Sequence, residues 1–325
     1  MSDQQSKSVH SASDVQSGRA ENGPQRAKRL AHLQQVGRNH GFFRRVGQEH
    51  SALFVDEGDE LIVTFDSAER VLDKTADGLP LGFTALKRRE CSLLSIMGRR
   101  GSFFRETALY ALFDYLVDDG FFDRFERVAF VGLGPMCGYG AAAYSVAAPG
   151  ARVLAVNPVA TLDRDAAPFE RRYRAAWGRD FTSRYGFAPQ MTDGAEQVTI
   201  IYDPADAMCA AHAALFQGHN VARHKLRWGG MSSGKILSTG NALEDVIDAA
   251  FEGRLTAPEL ARLLRPARRG SPAHLARLMT RAAQSGHPKL ALEAARRGKT
   301  LTTDGRFDGA VAILRAHRDA RAVTS

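Results

Sequence analysis

The chain has 325 residues, 44% of them hydrophobic and 25% charged. That ordinary globular balance excludes a mainly disordered, collagen-like or disulfide-scaffold protein. The formal net charge of +8 hides three regions: residues 1–50 carry +4, residues 51–252 carry −6 and residues 253–325 carry +10. The basic character belongs to the two ends, and the body between them is acidic.

Residues 1–28 are polar, without periodicity, and are expected to be disordered. The stretch Met1–Gln25 lacks the apolar segment of a secretory signal. No run approaches the roughly 18 apolar residues of a membrane span. Three scattered cysteines, Cys91, Cys137 and Cys209, suit neither a disulfide framework nor a zinc site. A cytoplasmic protein without metal or cofactor is the expectation. A basic arm follows at residues 29–50 and reads as a solvated segment that packs Phe42 and Phe43 on the next domain. Nucleic-acid contact is the alternative for such a basic, aromatic stretch.

From residue 51 to 253, apolar runs bounded by turn residues alternate with helical periodicity. This is the pattern of a mostly parallel sheet with crossover helices, an α/β fold. Strands are predicted at Ala52–Val55, Glu60–Phe65, Ser92–Met97, Arg127–Gly132, Arg152–Val156, Gln197–Tyr202 and Val221–Trp228. Helices are predicted at Arg105–Asp118, Gly138–Ala147, Pro168–Trp177, Asp206–Gln217 and Ser233–Phe251. Leu109, Leu112, Phe113, Leu116 and Val117 are expected to fall on one face of the first of these.

Residues 254–325 show no strand signal and read as a small all-helical appendix broken at Arg265-Pro266, Gly270-Ser271-Pro272 and Gly286-His287-Pro288. Ser271-Pro272 looks like an N-cap followed by Pro at the first helical position. Ala291, Leu292 and Ala295 set against Phe307, Ala310 and Ile313 resemble one tetratricopeptide-like hairpin. Arg265, Arg268, Arg269, Arg277 and Arg281 make this region a candidate anion binder. Its partner is expected to be an anionic molecule or the acidic body itself. No nucleic-acid motif accompanies these arginines.

One feature carries chemical information. Strand Arg127–Gly132 runs into Gly132-Leu133-Gly134-Pro135-Met136-Cys137-Gly138 and then a small-residue helix. A strand, a sharp Gly-rich turn and a helix make either a nucleophile elbow or a dinucleotide loop. The loop reading, a nucleotide-binding oxidoreductase or transferase, has a G-x-G-x-x-x-G spacing one residue too long. The following strand also ends at Val156-Asn157-Pro158, without an acid for a ribose.

The elbow reading leads to a resemblance. Met136, Gly138, Tyr139 and Ala141, then Ala148-Pro149-Gly150, Ala155-Val156-Asn157-Pro158 and Asp203-Pro204-Ala205-Asp206 with His212 following, resemble an α/β-hydrolase-type family. Its members occur beside bacterial polysaccharide and surface-glycan functions. The resemblance implies acyl transfer by a nucleophile on the elbow, a His after the last strand and an acid near Asp203. Asp203 also suits a turn, with Asp206 as the N-cap of the next helix.

The nucleophile is missing. Alignment on Tyr139 puts Pro135 at the serine position, and alignment on Gly132 puts Gly134 there. The His is missing too, since Met231 and Ser232 stand where it is expected, and His219 and His224 read as surface or packing residues. Cys137, at a helix mouth, is a candidate displaced nucleophile. A degenerate hydrolase kept for binding or scaffolding is the favoured expectation. An active hydrolase or acyltransferase using Cys137 is the alternative.

Overall fold

The predicted strands are apolar on both faces, and such strands need cover on both sides. The computed structural model describes residues 10–86, 88–230 and 233–312, with side chains from residue 23 onward except Lys235. Eight strands form one sheet in the order β1-β2-β4-β3-β5-β6-β7-β8. They are β1 (Gly41–Val46), β2 (His50–Val55), β3 (Glu60–Ser67), β4 (Ser92–Gly98), β5 (Arg127–Leu133), β6 (Arg152–Val156), β7 (Gln197–Tyr202) and β8 (Val221–Lys225). Strand β2 is antiparallel to both of its neighbours, and all other pairings are parallel.

The helices are α1 (His10–His40), α2 (Phe83–Leu86), α3 (Thr107–Asp118), α4 (Pro135–Tyr144), α5 (Ala188–Met191) and α6 (Ala207–Leu215). They continue with α7 (Ser233–Leu237), α8 (Ala242–Phe251), α9 (Ala257–Gly270), α10 (Pro272–Gln284) and α11 (Pro288–Lys299). The expected architecture, a mostly parallel sheet with a C-terminal helical region, is present.

Alternation along each strand assigns the two faces. Val63, Phe65, Phe130, Val153 and Ala155 share one core with Leu109, Phe113, Tyr139 and Tyr144 of α3 and α4. Ile62, Ala129, Val131, Leu154 and Val156 share the other with α8 and with Leu260 and Leu264 of α9. Burying a leucine is worth about 1.5–3 kcal/mol, so α9 is held by the body rather than appended to it.

Several expectations are corrected. Helix α1 starts inside the segment expected to be disordered, and the expected basic arm is the end of α1, edge strand β1 and the turn into β2. The cause is an apolar stripe: Leu33 is buried against Leu53, Val71 and Met97, with Leu30 and Val36 beside it. Arg29 also donates to the Leu72 carbonyl at 2.9 Å. The predicted helix Pro168–Trp177 is a series of turns holding only a short 3-10 turn at Arg174–Ala176. Glu170 there accepts the Arg172 backbone N–H at 2.7 Å and binds its guanidinium, whereas residues two apart do not face each other on a helix. The predicted helix Ser233–Phe251 divides into α7 and α8 around Gly240, whose φ is +66°. The last strand stops at Lys225, three residues before Trp228, whose φ is +65°.

Arg262 and Arg296 pair within their own helices. Within the body, Arg88 lies 3.0 Å from Asp245 of α8. Of the expected hairpin residues, Ala291, Leu292, Ala295 and Phe307 are buried. Ile313 lies outside the described residues.

Candidate functional site

Open parallel sheets place ligands at the carboxyl ends of their strands. There β5 meets α4 at Gly134, whose φ of +95° and ψ of 174° suit glycine almost alone. Gly134 stands between the end of β5 and the first residue of α4, in a backbone conformation open to glycine. Pro135 is that first residue and has no N–H to offer an oxyanion. A Cβ placed on Gly134 would meet no described atom within 4 Å.

The neighbouring glycines serve packing. A Cβ on Gly132 would lie 2.0 Å from the Cys137 carbonyl oxygen, and one on Gly138 would lie 3.1 Å from Pro158. The Gly134 N–H donates to the Val156 carbonyl at 2.8 Å. At Gly132 and Gly138 the bare backbone faces protein, whereas at Gly134 it faces open space. Met136 is half-buried, with its sulfur 3.9 Å from the Ser102 hydroxyl.

Cys137 is buried in the core below α4, and burial, helped by the Asp66 charge, pushes its thiol up to about 12. Burial at this position therefore opposes the thiolate that the helix dipole would favour. Cys91 and Cys209 are also buried, with their thiols pushed up to about 11 by burial.

Asp203 stands just past β7, buried, where a triad acid belongs. Its carboxylate accepts backbone N–H groups of Ala205 at 2.9 Å, Trp228 at 3.2 Å and Gly230 at 2.7 Å. It thus holds the loop after β8 through that loop's backbone. Asn157, buried at the end of β6 with φ +49°, completes the tie. Its Nδ2 donates to the Gly230 carbonyl at 2.7 Å and the Ser233 hydroxyl at 3.0 Å, and its Oδ1 accepts from the Asp203 N–H at 3.2 Å. Asp206 caps α6, accepting from Met208 and Cys209 at 3.0 Å. Met231 and Ser232 lie outside the described residues.

His219 is exposed, and His224 is buried on β8 with its pKa lowered by burial. His212 is fully buried in another cluster. Its Nε2 lies 2.9 Å from Glu170, and its Nδ1 accepts from the Ala160 N–H at 3.2 Å. Burial works against the Glu170 charge, but hydrogen bonds from His212 and Arg172 outweigh it and hold the carboxyl down at about 2. With both imidazole nitrogens occupied, His212 serves no nucleophile and fastens α6 to the segment after β6.

Two features escaped sequence reasoning. Asn157 is one. The other is His274 of α10, buried, with no hydrogen-bond partner for its Nδ1 among the described residues and within reach of the Asp203 charge. Burial holds it down at about 4, with Arg268 adding to the effect. Nothing local in the sequence links residue 274 to residue 203.

The arginine candidates do not converge. Arg277 donates to the Gly229 carbonyl and, with Arg281, lines a cleft of 680 Å³ that also includes Asp203, Met208, Trp228 and Arg306. Arg265 and Arg269 are exposed on α9, and Arg268 is half-buried, its pKa lowered by burial. Among the described residues, no group of three or more His, Cys, Asp or Glu could hold a metal ion. No described helix is long and apolar enough to cross a membrane.

No protein-family model matches the chain, and no curated protein sequence does. Solved structures do. A thermostable carboxylesterase from a metagenomic library is similar over 75% of this chain and 98% of its own, at 13% identity and TM-score 0.41. A capsule O-acetyltransferase of Neisseria meningitidis serogroup A is similar over 57% and 85%, at 10% identity and TM-score 0.38. A glycosylation associate protein complex of Streptococcus agalactiae is similar over 66% of this chain, at 15% identity and TM-score 0.41, and the match covers 47% of that longer chain. By its own topology the fold is α/β, a mostly parallel eight-stranded sheet with helices packed on both faces.

Proposed function

We propose that this chain is a non-catalytic α/β-hydrolase-like protein that acts by binding. The observation that carries the reading is Gly134, which supplies the elbow's backbone conformation without any side chain. Two further features support it. The Asp203 carboxylate is engaged by three backbone N–H groups, and the Cys137 thiol is buried with its pKa raised. Acyl transfer needs a nucleophile, a base to take its proton and donors for the oxyanion. Gly134 and Pro135 remove the first and weaken the last.

The test is hydrolysis of p-nitrophenyl acetate by the full chain. Only background rates are expected, equal in the parent and in Cys137→Ala. Saturable turnover that either Cys137→Ala or Asp203→Asn abolishes would overturn the reading.

A further inference from the structure

The segment between β6 and β7 folds over the sheet's carboxyl edge and carries a cleft of 880 Å³. Side chains from elsewhere in the body hold it in place. Arg105, buried, donates to the Asp180 carbonyl at 2.6 Å, the Arg184 carbonyl at 2.7 Å and the Ser183 hydroxyl at 3.1 Å. Arg179 makes two bonds to Glu49, at 2.6 and 2.9 Å. A cleft fixed this way loses little freedom on binding, which is the condition for a preformed site.

Its wall bears an unusual arrangement. The guanidinium of Arg164 lies 5.0 Å from the centre of the Trp177 ring, and that of Arg174 lies 5.7 Å from it. Stacking on the ring restrains both side chains while leaving their N–H edges available for a planar oxyanion. Arg171 stands beside them. Among the described residues, none of these three guanidiniums has a carboxylate within ion-pair distance.

The carboxylates of the same wall are differently placed. Asp180 accepts from Thr182 and Ser183, and those hydrogen bonds, Ser183 first, lower its pKa. Asp163 accepts from the Asp165 N–H at 3.2 Å, and Asp165 itself is exposed. Guanidinium and carboxylate charges are matched in number around the cleft, so net charge does not choose the ligand. The geometry selects a molecule with an oxyanion for the arginine edges and hydroxyl donors for Asp163 and Asp165.

We propose that this cleft binds a small hydroxylated organic anion, with Arg164, Arg171 and Arg174 taking its carboxylate or phosphate. The inference goes beyond the elbow and does not depend on it, because none of the cleft's residues belongs to the β5–α4 turn.

Trp177 and Trp228 are the two tryptophans of the chain, so full-length Trp228→Phe leaves Trp177 as the sole indole reporter. Its fluorescence is titrated with glucuronate, glucose 6-phosphate, inorganic phosphate and glucose at low ionic strength. A saturable change with glucuronate or glucose 6-phosphate is expected, and the stronger of the two identifies the oxyanion. Inorganic phosphate, lacking hydroxyl carbons, should bind at least tenfold more weakly, and glucose should not saturate. The double variant Arg164→Ala, Arg174→Ala should weaken binding at least tenfold with an unchanged melting curve, while Arg265→Ala on α9 should leave it unaltered. Saturation by glucose equal to that by the anions, or no saturation by either organic anion, would overturn the proposal. The ester assay reads the elbow alone, so the two failures are distinguishable.

Discussion

The seam of strand ends at β5–β8 and the cleft in the segment after β6 lie on the same edge of the sheet, yet they use polar groups in opposite ways. At the seam, Asp203 and Asn157 direct their side chains to backbone partners in the next loop. In the cleft, Arg164, Arg171 and Arg174 stand without carboxylate partners among the described residues. A buried polar group must be satisfied internally, whereas an exposed one is free to meet a ligand. The seam's polar side chains are engaged by the protein's own loops, and Arg164, Arg171 and Arg174 of the cleft are exposed.

The largest expected effect tests the first half of that contrast. Asp203→Ala removes an acceptor from three N–H groups, and each buried donor left unmet costs about 1–3 kcal/mol. With partial relaxation, a loss of about 3–5 kcal/mol is expected in urea unfolding of the full chain. A change under 1 kcal/mol would mean that Asp203 does not hold the loop after β8, and the seam would again be open to a catalytic role.

Much of the body was legible because alternation and apolar runs are local signals. All seven predicted strands exist, with small shifts at their ends. Strand β1 was missed because Phe42, Phe43, Arg44 and Arg45 sit on an edge strand that is mostly open to solvent and so read as an arm. The turn-rich segment after β6 was read as a helix because its aromatic and alanine spacing mimics one. What breaks it is a set of long-range bonds, Glu170 to His212 and Arg105 to residues 180–184. The elbow and Asp203 were visible through their Gly and Pro punctuation. The backbone angle at Gly134 and the placement of His274 needed the whole fold.

A smaller effect, set by pH, concerns how firmly α10 covers the seam. His274 has its folded pKa lowered to about 4 against an ordinary 6.5, so it is docked in the neutral form. Below pH 6.5 the unfolded or undocked state binds the extra proton, and stability falls with pH until about pH 4. At one pH unit per 1.36 kcal/mol, the loss between pH 7 and pH 5 is about 2 kcal/mol. Unfolding followed by Trp228 fluorescence at those two pH values measures it, and His274→Gln should flatten the difference. An undiminished pH dependence in His274→Gln would place the sensitive group elsewhere.

The smallest effect bears most directly on what the elbow has become. With φ at +95° and ψ at 174°, any side chain at position 134 takes up backbone strain of about 1–3 kcal/mol. Gly134→Ala and Gly134→Ser should therefore be destabilised by the same amount, because the open space around the site asks nothing of the hydroxyl. Neither should hydrolyse p-nitrophenyl acetate, since the Asp203 carboxylate is occupied by backbone amides rather than aligned on an imidazole. Turnover in Gly134→Ser but not in Gly134→Ala would show that a base still reaches the turn. The loss would then be confined to one side chain. Silence in both variants would mean that the acid and base positions have been rebuilt as loop supports, which no single substitution reverses.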